Sequence, residues 1–77
     1  MAPRVRDYLT IGEVVEKLGP SYSDLTISKV RFLEDEGLIT PDRTAGGYRT
    51  FRPADVQRLE LVLRLQKEHF MPLSVIR

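Results

Sequence analysis

Glycine and proline set the scale of what this chain can build. Gly19-Pro20, Gly37 and Gly46-Gly47 each interrupt an apolar pattern, so the first 50 residues are confined to short helices and tight turns. Between the breaks the pattern is helical. Thr10-Ile11-Gly12-Glu13 reads as a capping box, with the Thr10 hydroxyl on an early amide and Glu13 reaching back. Ile11, Val14, Val15 and Leu18 follow at i, i+3, i+4 and i+7, one buried stripe on a first helix that Gly19-Pro20 stops. Ser21-Tyr22-Ser23-Asp24 is turn-forming. A second helix is expected from about Thr26 to Glu36, closed by Gly37. Ile27, Val30 and Leu33 recur every third residue and are expected in the core, which sends Ser28, Phe32 and Asp35 outward and leaves Lys29 and Arg31 on the flanks.

After the apolar pair Leu38-Ile39, residues 40–47 are dense in turn formers and Tyr48-Arg49-Thr50-Phe51 alternates, the pattern of a hairpin with a Gly-Gly tip. Pro53-Ala54-Asp55 opens a third helix, with proline in the first turn and an early acid at the positive pole, running to about Glu68. Val56, Leu59, Leu63 and Phe70 form one stripe. Leu61 and Leu65 lie on the far side with Val62 between, so this helix is apolar almost all round. Residues 71–77, with Pro72 in a first turn, begin a fourth helix that stops without a stop signal. The expectation is a fragment whose missing part covers the surplus leucines. Residues 1–9 carry Pro3 and little periodicity and are expected to be a flexible arm, with residues 10–77 as the folded domain.

With 77 residues, one core is all that can be closed, and the absence of cysteine together with a single histidine, His69, removes disulfides and a structural metal as staples. No cofactor is called for. His69 is expected at a helix end, where it favours the negative pole. No stretch approaches a membrane span and residues 1–8 lack an apolar signal core, so a soluble, cytoplasmic protein is expected. Net charge is only +1, from 12 basic and 11 acidic residues. Its arrangement says more: Arg4 and Arg6 lie in the arm, Lys29 and Arg31 in helix two, and Arg43, Arg49 and Arg52 bracket the glycine turn. Glu34, Asp35 and Glu36 gather at one helix end and are expected to be solvated carboxylates that repel phosphate.

Two helices joined by a turn, followed by a hairpin with arginines on both arms, form the layout of a winged helix-turn-helix, a mainly α fold with a short two-stranded wing. A helix about 10 Å across fits the major groove of duplex DNA and its first residues reach base edges there. A wing bearing Arg43, Arg49 and Arg52 can neutralise phosphates, each contact steepening the salt dependence by roughly 0.9 log unit per log salt.

The strings Leu9-Thr10-Ile11-Gly12-Glu13-Val14, Val30-Arg31-Phe32-Leu33-Glu34 before Gly37-Leu38-Ile39, and Gly47-Tyr48-Arg49-Thr50-Phe51 together resemble the N-terminal signature of MerR-type transcription regulators over about residues 8–77. The resemblance implies that Thr26, Ser28, Lys29 and Arg31 lie in the recognition helix and that Tyr48 and Arg49 grip the DNA backbone. Arg43 and Arg52 are added here on charge alone. It further implies promoter DNA as partner, homodimerisation through a long C-terminal helix, an indirect effect on RNA polymerase, and residence on the nucleoid when bound. Phe32 followed by Leu33 departs from the usual pair of aromatics, and Phe32 cannot donate a hydrogen bond to phosphate as tyrosine would. The turn from Gly19 to Leu25 is also longer than the family's tight turn and resembles an actinobacterial branch that includes regulators of cell-division genes.

Each of these residues has a plainer reading. Arg31 alone would be a solvated charge, Thr26 and Ser28 local caps, and Phe32 an aromatic packed on its own wing. Of Tyr48 and Phe51, Tyr48 is expected outward. No nucleophile, base and orienter come together, so an enzyme is not expected. The rival to DNA binding is a protein-interaction module using the apolar faces of helix three.

Overall fold

The computed structural model describes residues 7–68 and 72. Three helices, α1 (Ile11–Leu18), α2 (Ile27–Asp35) and α3 (Pro53–Glu68), frame a hairpin of β1 (Asp42–Arg43) and β2 (Arg49–Thr50). The expected mainly α winged helix-turn-helix is therefore what forms. Phe70, His69, Arg4, Arg6 and the start of a fourth helix lie outside the described residues.

Local chemistry sets the helix starts. Thr10 caps α1 as a full capping box: its hydroxyl accepts from the Glu13 amide at 3.2 Å, and its own amide donates to Glu13 Oε1 at 2.8 Å. Thr26 caps α2 by accepting from the Lys29 amide at 3.1 Å. At α3, Pro53 occupies the first turn, where its missing N–H is not needed, and the Arg52 amide donates to Asp55 Oδ2 at 2.9 Å.

The wing is an antiparallel pair with Asp42 opposite Thr50 and Arg43 opposite Arg49. Its loop is closed by Gly47 N donating to Thr44 O at 2.9 Å and by Thr44 N donating to Tyr48 O at 2.7 Å. Gly47 sits at φ +89°, a left-handed position that closes a three-residue hairpin loop and that a Cβ would strain. Gly37, at φ +78°, ends α2 in the same way.

The core lies where the three helices and the base of the wing meet. Val14, Val30, Leu33, Phe51, Leu59 and Val62 are each at most 1% exposed. Ile11, Val15 and Val56 pack against them half-buried. The stripe of α1 thus appears as its spacing predicts. Two expectations change. Ile27 is 41% exposed rather than in the core. At 100° per residue the core direction runs between Val30 and Leu33, and Ile27 stands about 90° from it, past the edge of the buried face. On α3, Val62 joins Leu59 and Leu63 inside, and Leu65 is half-buried, leaving Leu61 as the exposed leucine among the described residues. The surplus apolar surface of α3 is smaller than its pattern implied.

The turn between α1 and α2 contributes to the core as well as connecting. Tyr22 and Leu25 are buried, at 7% and 6% exposure, and the backbone folds on itself, with Tyr22 N donating to Leu18 O at 3.0 Å and Leu25 N to Tyr22 O at 2.9 Å. The end of the arm is tied down too. Leu9 and Phe51 exchange both backbone hydrogen bonds, at 2.8 and 2.9 Å, so the segment leading into α1 forms a bridge to the end of the wing.

Candidate nucleic-acid interface

The outward side of α2 follows from its burial. With the core between Val30 and Leu33, Ser28 and Asp35 stand nearly opposite it, and Arg31 and Phe32 lie about 50° to either side of that outer line. All four are exposed, Phe32 at 44%. Arg31 is thus on the outer face itself rather than on a flank. Lys29 is half-buried and borders a hollow of about 330 Å³ shared with Tyr22, Asp24 and Lys67. Thr26 and Ile27, at the helix start, are also exposed. The first turn of α2 holds no acid, whereas α1 carries Glu13 and α3 carries Asp55 there. The first turn of α2 thus leaves an anion from outside unopposed within the helix itself, which favours a phosphate there.

The wing arginines have three different situations. Arg52 is half-exposed and pairs with Asp7 at 2.9 Å, a contact open to water on both sides. Arg43 is 47% exposed; its Nη1 donates to Gly47 O at 3.0 Å and its Nη2 lies 3.5 Å from Glu34 Oε1. Arg49 is only 15% exposed, and its Nε donates to the same Glu34 oxygen at 2.7 Å. Glu34 is therefore not the solvated carboxylate its sequence neighbours suggested. It is 18% exposed and faces both arms of the hairpin. Asp35 matches the solvated description, being exposed. Tyr48 is 75% exposed and Phe51 1%, so the two wing aromatics split with Tyr48 outward.

Three further contacts fix the platform, none evident from sequence. Arg58 on α3 donates through Nε to Leu38 O at 3.0 Å, tying the segment after α2 to α3. Lys67 Nζ donates to Ser21 O at 2.6 Å and lies 5.3 Å from the centre of the Tyr22 ring. Burial, and after it the nearby Glu60 and Glu68, push the Tyr22 hydroxyl above its usual range against a smaller opposing effect of Arg64. The role of Glu34 had no signal in the sequence, since it depends on the hairpin register that sets Arg43 against Arg49.

These features define a winged helix-turn-helix head with a charged, aromatic-bearing outer surface. The family model for the MerR HTH family regulatory proteins matches residues 9–77, and the chain belongs to that family. It is 51% identical over 69 residues to an uncharacterised HTH-type transcriptional regulator of Mycobacterium tuberculosis, covering 90% of this chain and 28% of that protein. To the HTH-type transcriptional regulator HmrR of Rhizobium leguminosarum bv. viciae it is 38% identical over 56 residues, 73% of this chain and 40% of that one. The chain thus spans well under half the length of these relatives. Among solved structures it resembles HiNmlR, a MerR family regulator lacking the sensor domain, in its crystal structure bound to promoter DNA. The TM-score is 0.75 at 30% identity, over 90% of this chain and 51% of that one.

Proposed function

We propose that this chain binds duplex DNA sequence-specifically as the reading head of a transcriptional regulator, with the start of α2 in the major groove and the wing on the sugar-phosphate backbone. The observation that carries this reading is the outer face of α2: Ser28, Arg31 and Phe32 exposed together on a helix whose first turn carries no acid. An arginine there can take guanine O6 and N7, and an exposed phenylalanine can meet a thymine methyl. Thr26 and Lys29 flank that face at the helix start. Arg43, Tyr48, Arg49 and Arg52 supply the backbone contacts from the wing side.

The likeness to HiNmlR supports the reading, since that regulator is seen on promoter DNA. We also propose a homodimer in which each head takes one half-site, acting on RNA polymerase only through the DNA, in the cytoplasm and on the nucleoid when bound. No helix among the described residues is long and apolar enough to cross a membrane. The relatives are named as transcriptional regulators, and we read this chain as non-enzymatic. The protein-interaction alternative loses ground because Val62 is in the core, which leaves Leu61 as the large exposed hydrophobic of α3 among the described residues.

The test is fluorescence anisotropy with a labelled duplex recovered by the chain from a randomised pool, titrated at two salt concentrations. Binding that weakens steeply with salt is expected. No binding at low salt refutes the reading.

A further inference from the structure

We propose that Glu34 is a positioning residue that locks the wing to the recognition helix and sets the pose of Arg49 upon it. The inference rests on the DNA-binding reading above. It starts from a weakness in the hairpin. β1 and β2 share only two residue pairs, too few to hold a two-stranded ribbon together alone. One of those pairs sets Arg43 directly against Arg49, and like charges in that relation push strands apart.

Glu34 removes both problems. Its Oε1 accepts from Arg49 Nε at 2.7 Å and lies 3.5 Å from Arg43 Nη2, so one carboxylate from the last turn of α2 stands between the two guanidinium groups. The Glu34 and Arg49 side chains are 18% and 15% exposed, so this pair is shielded as ordinary surface ion pairs are not. Its length is that of a charge-assisted hydrogen bond. Glu34 belongs to the helix whose outer face carries Ser28, Arg31 and Phe32. Holding the wing through it fixes the distance between the part that meets bases and the part that meets phosphates. Arg49 is held through Nε and Arg43 through Nη2, so one carboxylate poses both guanidinium groups.

The decisive variant is Glu34→Gln, with Asp35→Asn as the control that removes a neighbouring, exposed acid. By charge alone, loss of a carboxylate beside a polyanion strengthens binding. The positioning role reverses that sign. In anisotropy titrations on the pool-selected duplex, Glu34→Gln is expected to bind about tenfold more weakly and Asp35→Asn as tightly as the parent or more so. In free protein, hydrogen exchange at the Thr44 and Tyr48 amides is expected to speed up by about tenfold in Glu34→Gln, with the amides of α1 and α3 unchanged. The second measurement separates a loosened wing from general unfolding. Glu34→Gln binding as tightly as the parent overturns the proposal, and so does unchanged exchange in the wing. Should the parent bind no duplex at low salt, the DNA-binding reading fails, and the exchange data alone then decide whether Glu34 holds the wing.

Discussion

Arg52 offers the cleanest measurement of a single backbone contact. Among the described residues its guanidinium is held by Asp7, at 2.9 Å, with the two side chains 51% and 77% exposed. Pairs so open to water are worth between nothing and about 1 kcal/mol, so a phosphate can displace Asp7 at little cost. One phosphate contact contributes about 0.9 to the slope of log K against log salt, and a fourfold rise in salt therefore removes about three- to fourfold in affinity through that contact alone. Arg52→Gln is expected to lower the slope by about 0.9 and to cost most at low salt, becoming nearly neutral at high salt. Asp7→Asn frees Arg52 and is expected to tighten low-salt binding by up to about fivefold, the ceiling set by the strength of an exposed pair. Both follow from anisotropy titrations at four or so salt concentrations, read as slopes. A slope for Arg52→Gln equal to the parent's, together with an Asp7→Asn variant that binds no tighter, would refute the assignment of Arg52 to the backbone.

Other outcomes concern the scaffold. Leu59 is fully buried, and Leu59→Ala is expected to cost about 2–5 kcal/mol, comparable to the whole stability a core of this size supplies, so circular dichroism should show a largely unfolded chain. Leu61→Ala, at a half-open site on the same helix, should cost under about 1 kcal/mol in the same melts. Thr26→Ala removes the cap of α2 and should lower stability by about 1 kcal/mol in urea titrations, with Thr26→Ser restoring most of it. Tyr22 gives a pH dependence. Because burial raises its hydroxyl above 10.0, the unfolded chain loses this proton first; stability is intact below pH 10.0 and falls as pH climbs from there toward the folded value. Tyr22→Phe should flatten that alkaline limb of the melting temperature, and an equally steep limb in the variant would exclude Tyr22 as its source.

What the sequence made legible was what neighbouring residues decide among themselves. Thr10 and Glu13 complete their box within one helical turn, Pro53 needs no partner, and Gly47 is imposed by the backbone of its own loop. The outward Tyr48 followed from strand alternation for the same reason. Side chains whose fate depends on distant partners were hidden. Tyr22 and Leu25 sit in a segment whose turn-forming character is real, but packing with residues far along the chain, Lys67 against Tyr22 among them, decides what is covered. Ile27 obeys a three-residue spacing that drifts off the buried face of a helix, since three residues turn 300° and not a full circle. Glu34 looked like its neighbour Asp35 because nothing local separates them; the hairpin register, fixed by contacts across the chain, turns one toward two arginines and leaves the other in water.

The bridge between Leu9 and Phe51 has a consequence for how the domain is assembled in time. Helix turns and the hairpin form from neighbours and need little chain closure. This bridge joins residues with both early helices and the whole wing between them, so it completes only after those parts have met. Its contacts are then expected to be absent at the folding barrier and present in the finished domain. On that expectation, weakening them shortens how long the folded chain persists and leaves how fast it forms unchanged. A folding head would thus acquire its shape quickly, and its durability would be set last, by a single bridge between segments far apart in the chain.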